Sequence, residues 1–146
     1  MTSPKESGTP GTITAGYWLV IVGSALSVVA AVYVLSIRQL LIDANVKVNT
    51  DPARTVETIT RDVDITWISA LAGSLLLGGL AVWFSTRARA GSRKSRTPLM
   101  IAVLIGLFFQ LTVSPLGVVG ALVAMVGLAL FYLRASTDYL TERETL

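Results

Sequence analysis

The chain has no cysteine and no histidine among its 146 residues, and charged side chains make up only 14% of it. Without cysteine there can be no disulfide, thiolate metal site, cysteine nucleophile or lipoprotein anchor. Without histidine the commonest general base and metal ligand is lost. No Gly-rich phosphate loop and no nucleophile–base constellation appears. The expectation is a non-enzymatic protein with no catalytic residue, no cofactor and no metal. The net charge of +3 is concentrated in one short loop and calls for no nucleic-acid partner.

Charge is absent altogether from four long apolar stretches at residues 17–37, 65–85, 98–114 and 116–133. Soluble domains carry about 25% charged residues, whereas a bilayer core about 30 Å thick needs about 20 apolar residues in a helix. The first two stretches meet that length. The last two are slightly shorter, a mismatch that flanking residues or local thinning absorbs. The first run is longer than a signal-peptide core of about 7–15 residues and ends in Val34-Leu35-Ser36-Ile37-Arg38, so it reads as a retained anchor. The fold class expected is an all-α integral membrane four-helix bundle, with a four-helix transmembrane domain over 16–134.

Orientation follows the distribution of Lys and Arg. The loop 86–97 carries Arg87, Arg89, Arg93, Lys94 and Arg96 and no acid, so it belongs in the cytoplasm. Four spans then place both termini there. Lys5, Arg134 and Arg143 join the five loop cations on the inner side, against Arg38, Lys47, Arg54 and Arg61 outside. The localisation expected is multi-pass in the plasma membrane, N-in and C-in. Tyr17, Trp18, Trp67, Trp83, Phe84, Phe131 and Tyr132 fall at the edges of the spans, as amphipathic rings do. Asp51-Pro52, Thr97-Pro98 and Ser114-Pro115 each set a capping side chain before a proline suited to N1. The third pair predicts a tight hairpin.

Residues 38–64 keep helical spacing, through Ile37, Leu40, Leu41, Ala44 and Val48, then Val56, Ile59, Val63 and Trp67. Asp43 with Lys47 and Glu57 with Arg61 are acid-before-base pairs at i, i+4. The first two spans are therefore expected to continue outward as a helical hairpin that turns near Asn49-Thr50-Asp51-Pro52. Residues 1–15, rich in Ser, Thr, Gly and Pro, are expected to be disordered, and 135–146 to form a partly helical cytoplasmic tail.

Candidate functional residues fall into three groups. Small residues recur every four positions as Gly23, Ser27 and Ala31, as Ala70, Ser74 and Gly78, as Ala102 and Gly106, and as Gly120 and Ala124. Such stripes let helices approach closely, within one bundle or in an oligomer or partner interface. Gln110 and Thr112 are the intramembrane polar pair. They serve capping or an interhelical hydrogen bond, or with Ser74 and Ser27 they line a polar path. Arg87, Arg89, Arg93, Lys94 and Arg96 set topology and contact anionic lipid headgroups. The outer acids Asp43, Asp51, Glu57, Asp62 and Asp64 are interleaved with bases and read as a solvated helix surface.

The run W-L-V-I-V-G-S-A-L-S at 18–27, the stretch Ile37-Arg38-Gln39-Leu40-Leu41-Ile42-Asp43-Ala44, R-A-R-A-G at 87–91 and the segment Phe131 to Leu140 resemble small four-span membrane proteins of actinobacteria. The Trp-Ala-Arg that commonly follows the basic loop in that group is missing here. The resemblance covers most of the chain. It implies topology and host type, since the group has no established activity. The function expected is an accessory, scaffold or assembly subunit of a plasma-membrane or cell-envelope complex. Its partners would be the lipid bilayer and other membrane proteins, bound through hairpin 38–64 or the small-residue faces, or copies of itself. The alternative is a small oligomeric transporter or channel.

Overall fold

The computed structural model describes residues 8–145. Six α-helices follow one another: α1 Gly11–Ser36, α2 Arg38–Val48, α3 Val56–Arg89, α4 Arg96–Val113, α5 Pro115–Phe131 and α6 Arg134–Glu144. A single 3₁₀ turn, Arg93–Ser95, leads straight into α4. No strand occurs among the described residues.

Local chemistry sets the helix ends. The tight hairpin at Ser114-Pro115 forms as expected: Ser114 Oγ accepts from Gly117 N at 3.3 Å and Pro115 occupies the first turn of α5. The other two proline signals lie elsewhere. Asp51 closes a turn through Ala53 N to Asp51 Oδ1 at 2.9 Å, and α3 is capped four residues later by Thr55, which accepts from Thr58 N at 3.2 Å. Pro98 falls inside the first turn of α4, where its missing N–H costs no bond. At the other end of α3, Gly91 takes φ 103°, and Ser92 N and Gly91 N bond back to Arg87 O and Ala88 O. These are the two bonds of a Schellman cap.

The helical hairpin over 38–64 is present, with one break. α3 runs unbroken from Val56, but α1 stops at Ile37 before α2 begins. Helix α1 starts at Gly11, inside the segment expected to be disordered, and residues 1–7 of that segment lie outside the described residues. The tail is helical as α6, set at 60° to α5. Neither i, i+4 pair forms among the described residues. Arg38 of α2 reaches across the hairpin to Asp64 of α3, and Arg54 in the turn pairs with Asp62 of α3.

The four apolar helices close a ring of neighbours, α1 on α5, α5 on α4, α4 on α3 and α3 on α1. The α1–α5 pair is the most extensive. Its register places Gly16 by Gly127, Gly23 by Gly120 and Ser27 by Gly117, so the two helices are antiparallel. The buried positions of α1 are Ile13, Gly16, Val20, Gly23, Ser27, Ala30 and Ala31, and those of α5 include Gly117, Gly120, Ala124, Gly127 and Phe131. Steps of three and four alternate on both helices, the 3.5-residue period of knobs-into-holes seams. The four-residue stripes catch only part of this pattern.

A methyl group at Gly23 would sit 2.5 Å from both Gly120 O and Ala124 N, and one at Gly127 would sit 2.8 Å from Gly16 O. The seam therefore closes backbone against backbone. Large side chains point the other way: Val29, Leu76, Phe108 and Val126 are 57–69% exposed. Small residues inside and large apolar residues outside invert the soluble pattern and fit helices solvated by lipid.

Helix lengths fix the levels. The uncharged part of α3 between Asp64 and Arg87 is about 33 Å long at 1.5 Å per residue, close to a bilayer core. Ser74 is level with Gln110 and Ser27 with Gly117, since each pair is joined by a hydrogen bond. Counting along α3 and α1 from those bonds puts the α4–α5 turn about 10 Å below the Arg38–Asp64 ion pair. Helices α1 and α3 thus overtop the short α4–α5 hairpin.

Candidate functional site: a buried polar junction beneath a cleft

Gln110 is 3% exposed and lies where α3, α4 and α5 meet. Its Nε2 donates to Ser74 Oγ at 2.8 Å. Its amide packs against the Gly117 backbone, where any side chain would collide with it. Ser27 Oγ donates to Gly23 O at 3.2 Å and Gly117 O at 3.3 Å, so α1 joins the same level. Gln110 Oε1 is buried without a donor, a condition that costs about 1–3 kcal/mol. Directly below lies a cavity of ≈ 40 Å³ lined by Ser24, Ser27, Ser74, Gln110 and glycines of α1, α3 and α4. A water needs about 10–15 Å³, so the cavity can admit a donor for Oε1.

The structure thus brings Ser27, Ser74 and Gln110 together and leaves Thr112 out. Thr112 is exposed, and its hydroxyl bonds to Phe108 O of its own helix at 3.0 Å. Gly23, Ala31, Ala70, Ala102, Gly120 and Ala124 are buried. Gly78 faces Ser24, and Gly106 faces Leu77 more loosely. Sequence reasoning missed Gly16, Gly117 and Gly127, although the seven-residue spacings Gly16–Gly23 and Gly120–Gly127 carried the signal. It also missed Gly73, against which the Phe109 ring packs.

At the basic end, Arg87 stacks over Trp83 at 5.1 Å, Arg89 over Tyr17 at 4.7 Å and Arg96 over Tyr132 at 4.2 Å. Arg93 approaches Glu144 of α6 at 3.6 Å. Arg87, Arg93 and Lys94 are exposed and Arg89 is half-buried. Arg96 differs, being 8% exposed. Its Nη2 donates to Thr137 Oγ1 at 3.2 Å, Tyr132 Oη donates to its carbonyl at 3.3 Å, and its Nε is buried without a partner. Arg96 ties α4 to α5 and α6 rather than lying open to lipid.

At the opposite end of the bundle, Arg38 grips Asp64 with two parallel hydrogen bonds, Nε to Oδ1 and Nη2 to Oδ2, the second at 2.8 Å. The guanidinium holds the Asp64 carboxyl below the usual carboxylate range. Trp67 Nε1 adds a 3.4 Å contact to the same carboxylate. Above the α4–α5 turn opens a cleft of ≈ 450 Å³. Val34, Ile37, Leu41, Ile59 and Val63 form its walls, Val113 to Leu116 its floor, and Asn45, Arg54, Asp62 and Thr66 its polar lining. The size falls within the range of ligand pockets, about 300–1,000 Å³. Among the described residues, no group of three or more His, Cys, Asp or Glu could hold a metal.

The chain is an all-α protein in which α1, α3 and α4 are each long and apolar enough to cross a membrane, with a further span if α5 and the bent α6 are counted together. Comparison with protein families, curated proteins and solved structures finds no match.

Proposed function

We propose that the chain is a plasma-membrane four-helix bundle, N-in and C-in, acting as a non-enzymatic accessory, scaffold or assembly subunit of a membrane or cell-envelope complex. The observation that carries this reading is the pairing of a closely packed, small-residue interior with a braced hairpin that rises well above the α4–α5 turn. A hairpin whose arms are clamped by Arg38–Asp64, with Arg54–Asp62 holding the turn against α3, offers another protein a rigid surface. The resemblance to small actinobacterial proteins supplies the proposed host type. Photo-crosslinking in cells from positions 54 and 57 tests the reading. Crosslinks to one other membrane protein, absent from a probe at position 94, are expected. Self-crosslinks alone would overturn it.

The second reading, a small oligomeric transporter or channel, is favoured by the junction of Ser27, Ser74 and Gln110 over a shared cavity. The cavity's ≈ 40 Å³ suits water rather than a larger solute. Reconstituted vesicles without flux would remove this reading.

A further inference from the structure

The floor of the outer cleft is the C-terminal end of α4. Helix carbonyls point toward the C-terminus, so those of the last turn face out of the helix end. Ser114 N satisfies Gln110 O. Pro115 has no N–H to offer Leu111 O, no donor among the described residues reaches the carbonyls of Leu111, Thr112 or Val113, and of these three residues Val113 lines the cleft. These acceptors lie about 10 Å below the Arg38–Asp64 pair, at acyl-chain depth by the helix rise. Irregular backbone at that depth persists where protein buries it or water reaches it. Here the space above it is an open cleft of ≈ 450 Å³, with Thr66, Asn45 and the 2.7 Å Arg54–Asp62 ion pair along its polar side.

We propose that this cleft is a water-filled vestibule that carries the outer aqueous phase into the outer leaflet as far as the α4–α5 turn, one helical turn above Gln110. It takes water and small uncharged polar molecules. At about 30 Å³ per water its volume corresponds to on the order of 15 molecules. Apolar walls do not exclude them, because the unpaired Val113 carbonyl at the floor and the polar side chains of Asn45, Arg54, Asp62 and Thr66 above supply hydrogen bonds. A lipid chain would leave the Val113 carbonyl without a donor. A partner's transmembrane helix would need a groove running the full depth of the bundle, whereas this cleft ends at Ser114–Pro115. The proposal rests on the membrane reading and goes beyond the scaffold role.

The absence of cysteine makes the test direct. Single-cysteine variants Leu116→Cys and Val34→Cys report the floor and one wall, Lys47→Cys the hairpin, and Phe108→Cys and Leu76→Cys the lipid-facing surface. Each is purified, reconstituted into phosphatidylcholine–phosphatidylglycerol vesicles and reacted with a membrane-impermeant maleimide. Because thiolate formation needs water, Leu116→Cys and Val34→Cys are expected to react within about tenfold of Lys47→Cys, and the two lipid-facing thiols at least ~100-fold more slowly. Adding Val63→Trp, which narrows the cleft, should slow Leu116→Cys and leave Lys47→Cys unchanged. If the floor and wall thiols are as slow as Phe108→Cys, lipid fills the cleft and the proposal is overturned. An unchanged Leu116→Cys rate beside Val63→Trp overturns it too. If Phe108→Cys and Leu76→Cys react as fast as Lys47→Cys, the membrane reading itself has failed.

Discussion

Replacing Gly23 by alanine tests the packing that holds α1 against α5. The added methyl group would lie 2.5 Å from Gly120 O and Ala124 N, both backbone atoms of the facing helix. Neither can rotate away, so the helices must part by about 1 Å, and overpacking of this kind costs about 1–3 kcal/mol. Alanine's better helix propensity returns up to about 1 kcal/mol. The net expectation is a loss of about 1–2 kcal/mol, or roughly 5–30-fold in the folded-to-unfolded ratio. Gly79 is the internal control, because a methyl group there meets nothing within 4 Å. Gly79→Ala should be neutral or slightly stabilising. Unfolding by sodium dodecyl sulfate titrated into dodecyl maltoside micelles, followed by tryptophan fluorescence, reads both. Combined with Gly120→Ala, Gly23→Ala should cost less than the two single changes together, since the first methyl group already opens the seam. A Gly23→Ala protein as stable as Gly79→Ala would refute the close approach.

Three further outcomes are expected. A double-mutant cycle between Gln110→Met and Ser74→Ala should give a coupling of about 0.5–1.7 kcal/mol, the scale of interhelical hydrogen bonds in membranes, and zero coupling would separate the two side chains. Asp64, held down by Arg38, should keep its ion pair above the ordinary carboxylate value and lose that stabilisation only as pH falls through the lowered value. Carboxyl NMR should show its titration moving up in Arg38→Gln, and an unmoved titration would dissolve the bidentate contact. Arg96→Lys should destabilise by about 1 kcal/mol, because lysine keeps the charge but not the planar stacking on Tyr132. Arg87→Lys, at an exposed site, should be nearly silent, and equal effects at both positions would contradict the distinction.

What the sequence revealed depended on the range of the interactions involved. The apolar runs were legible because bilayer thickness and helix rise dictate length directly. Ser114-Pro115 was legible because its cap and its proline act within three residues. Asp51-Pro52 misled because Thr55 offers a competing cap whose hydroxyl meets Thr58 N. The pairs Asp43–Lys47 and Glu57–Arg61 were plausible helix pairs, but exposed neighbour pairs gain little, and Asp43 accepts from Gln39 Nε2 at 3.0 Å instead. Of the polar junction, Gln110, Ser27 and Ser74 stood out as polar residues in apolar runs. Their meeting depended on a register between helices that no local pattern encodes. Gly16 and Gly127 escaped notice because a four-residue spacing was sought where the seam repeats every seven. Arg96 looked like one cation among five, and its burial arises from Tyr132 and Thr137, more than thirty residues away in the chain.

The most direct measurement is the sidedness of the hairpin in living cells. Single cysteines at Lys47 and Lys94 provide it, since no native thiol competes. The account predicts that an impermeant maleimide added to intact cells labels Lys47→Cys at once and Lys94→Cys only after the membrane is permeabilised. Labelling of Lys94→Cys in intact cells, with Lys47→Cys protected, would contradict it.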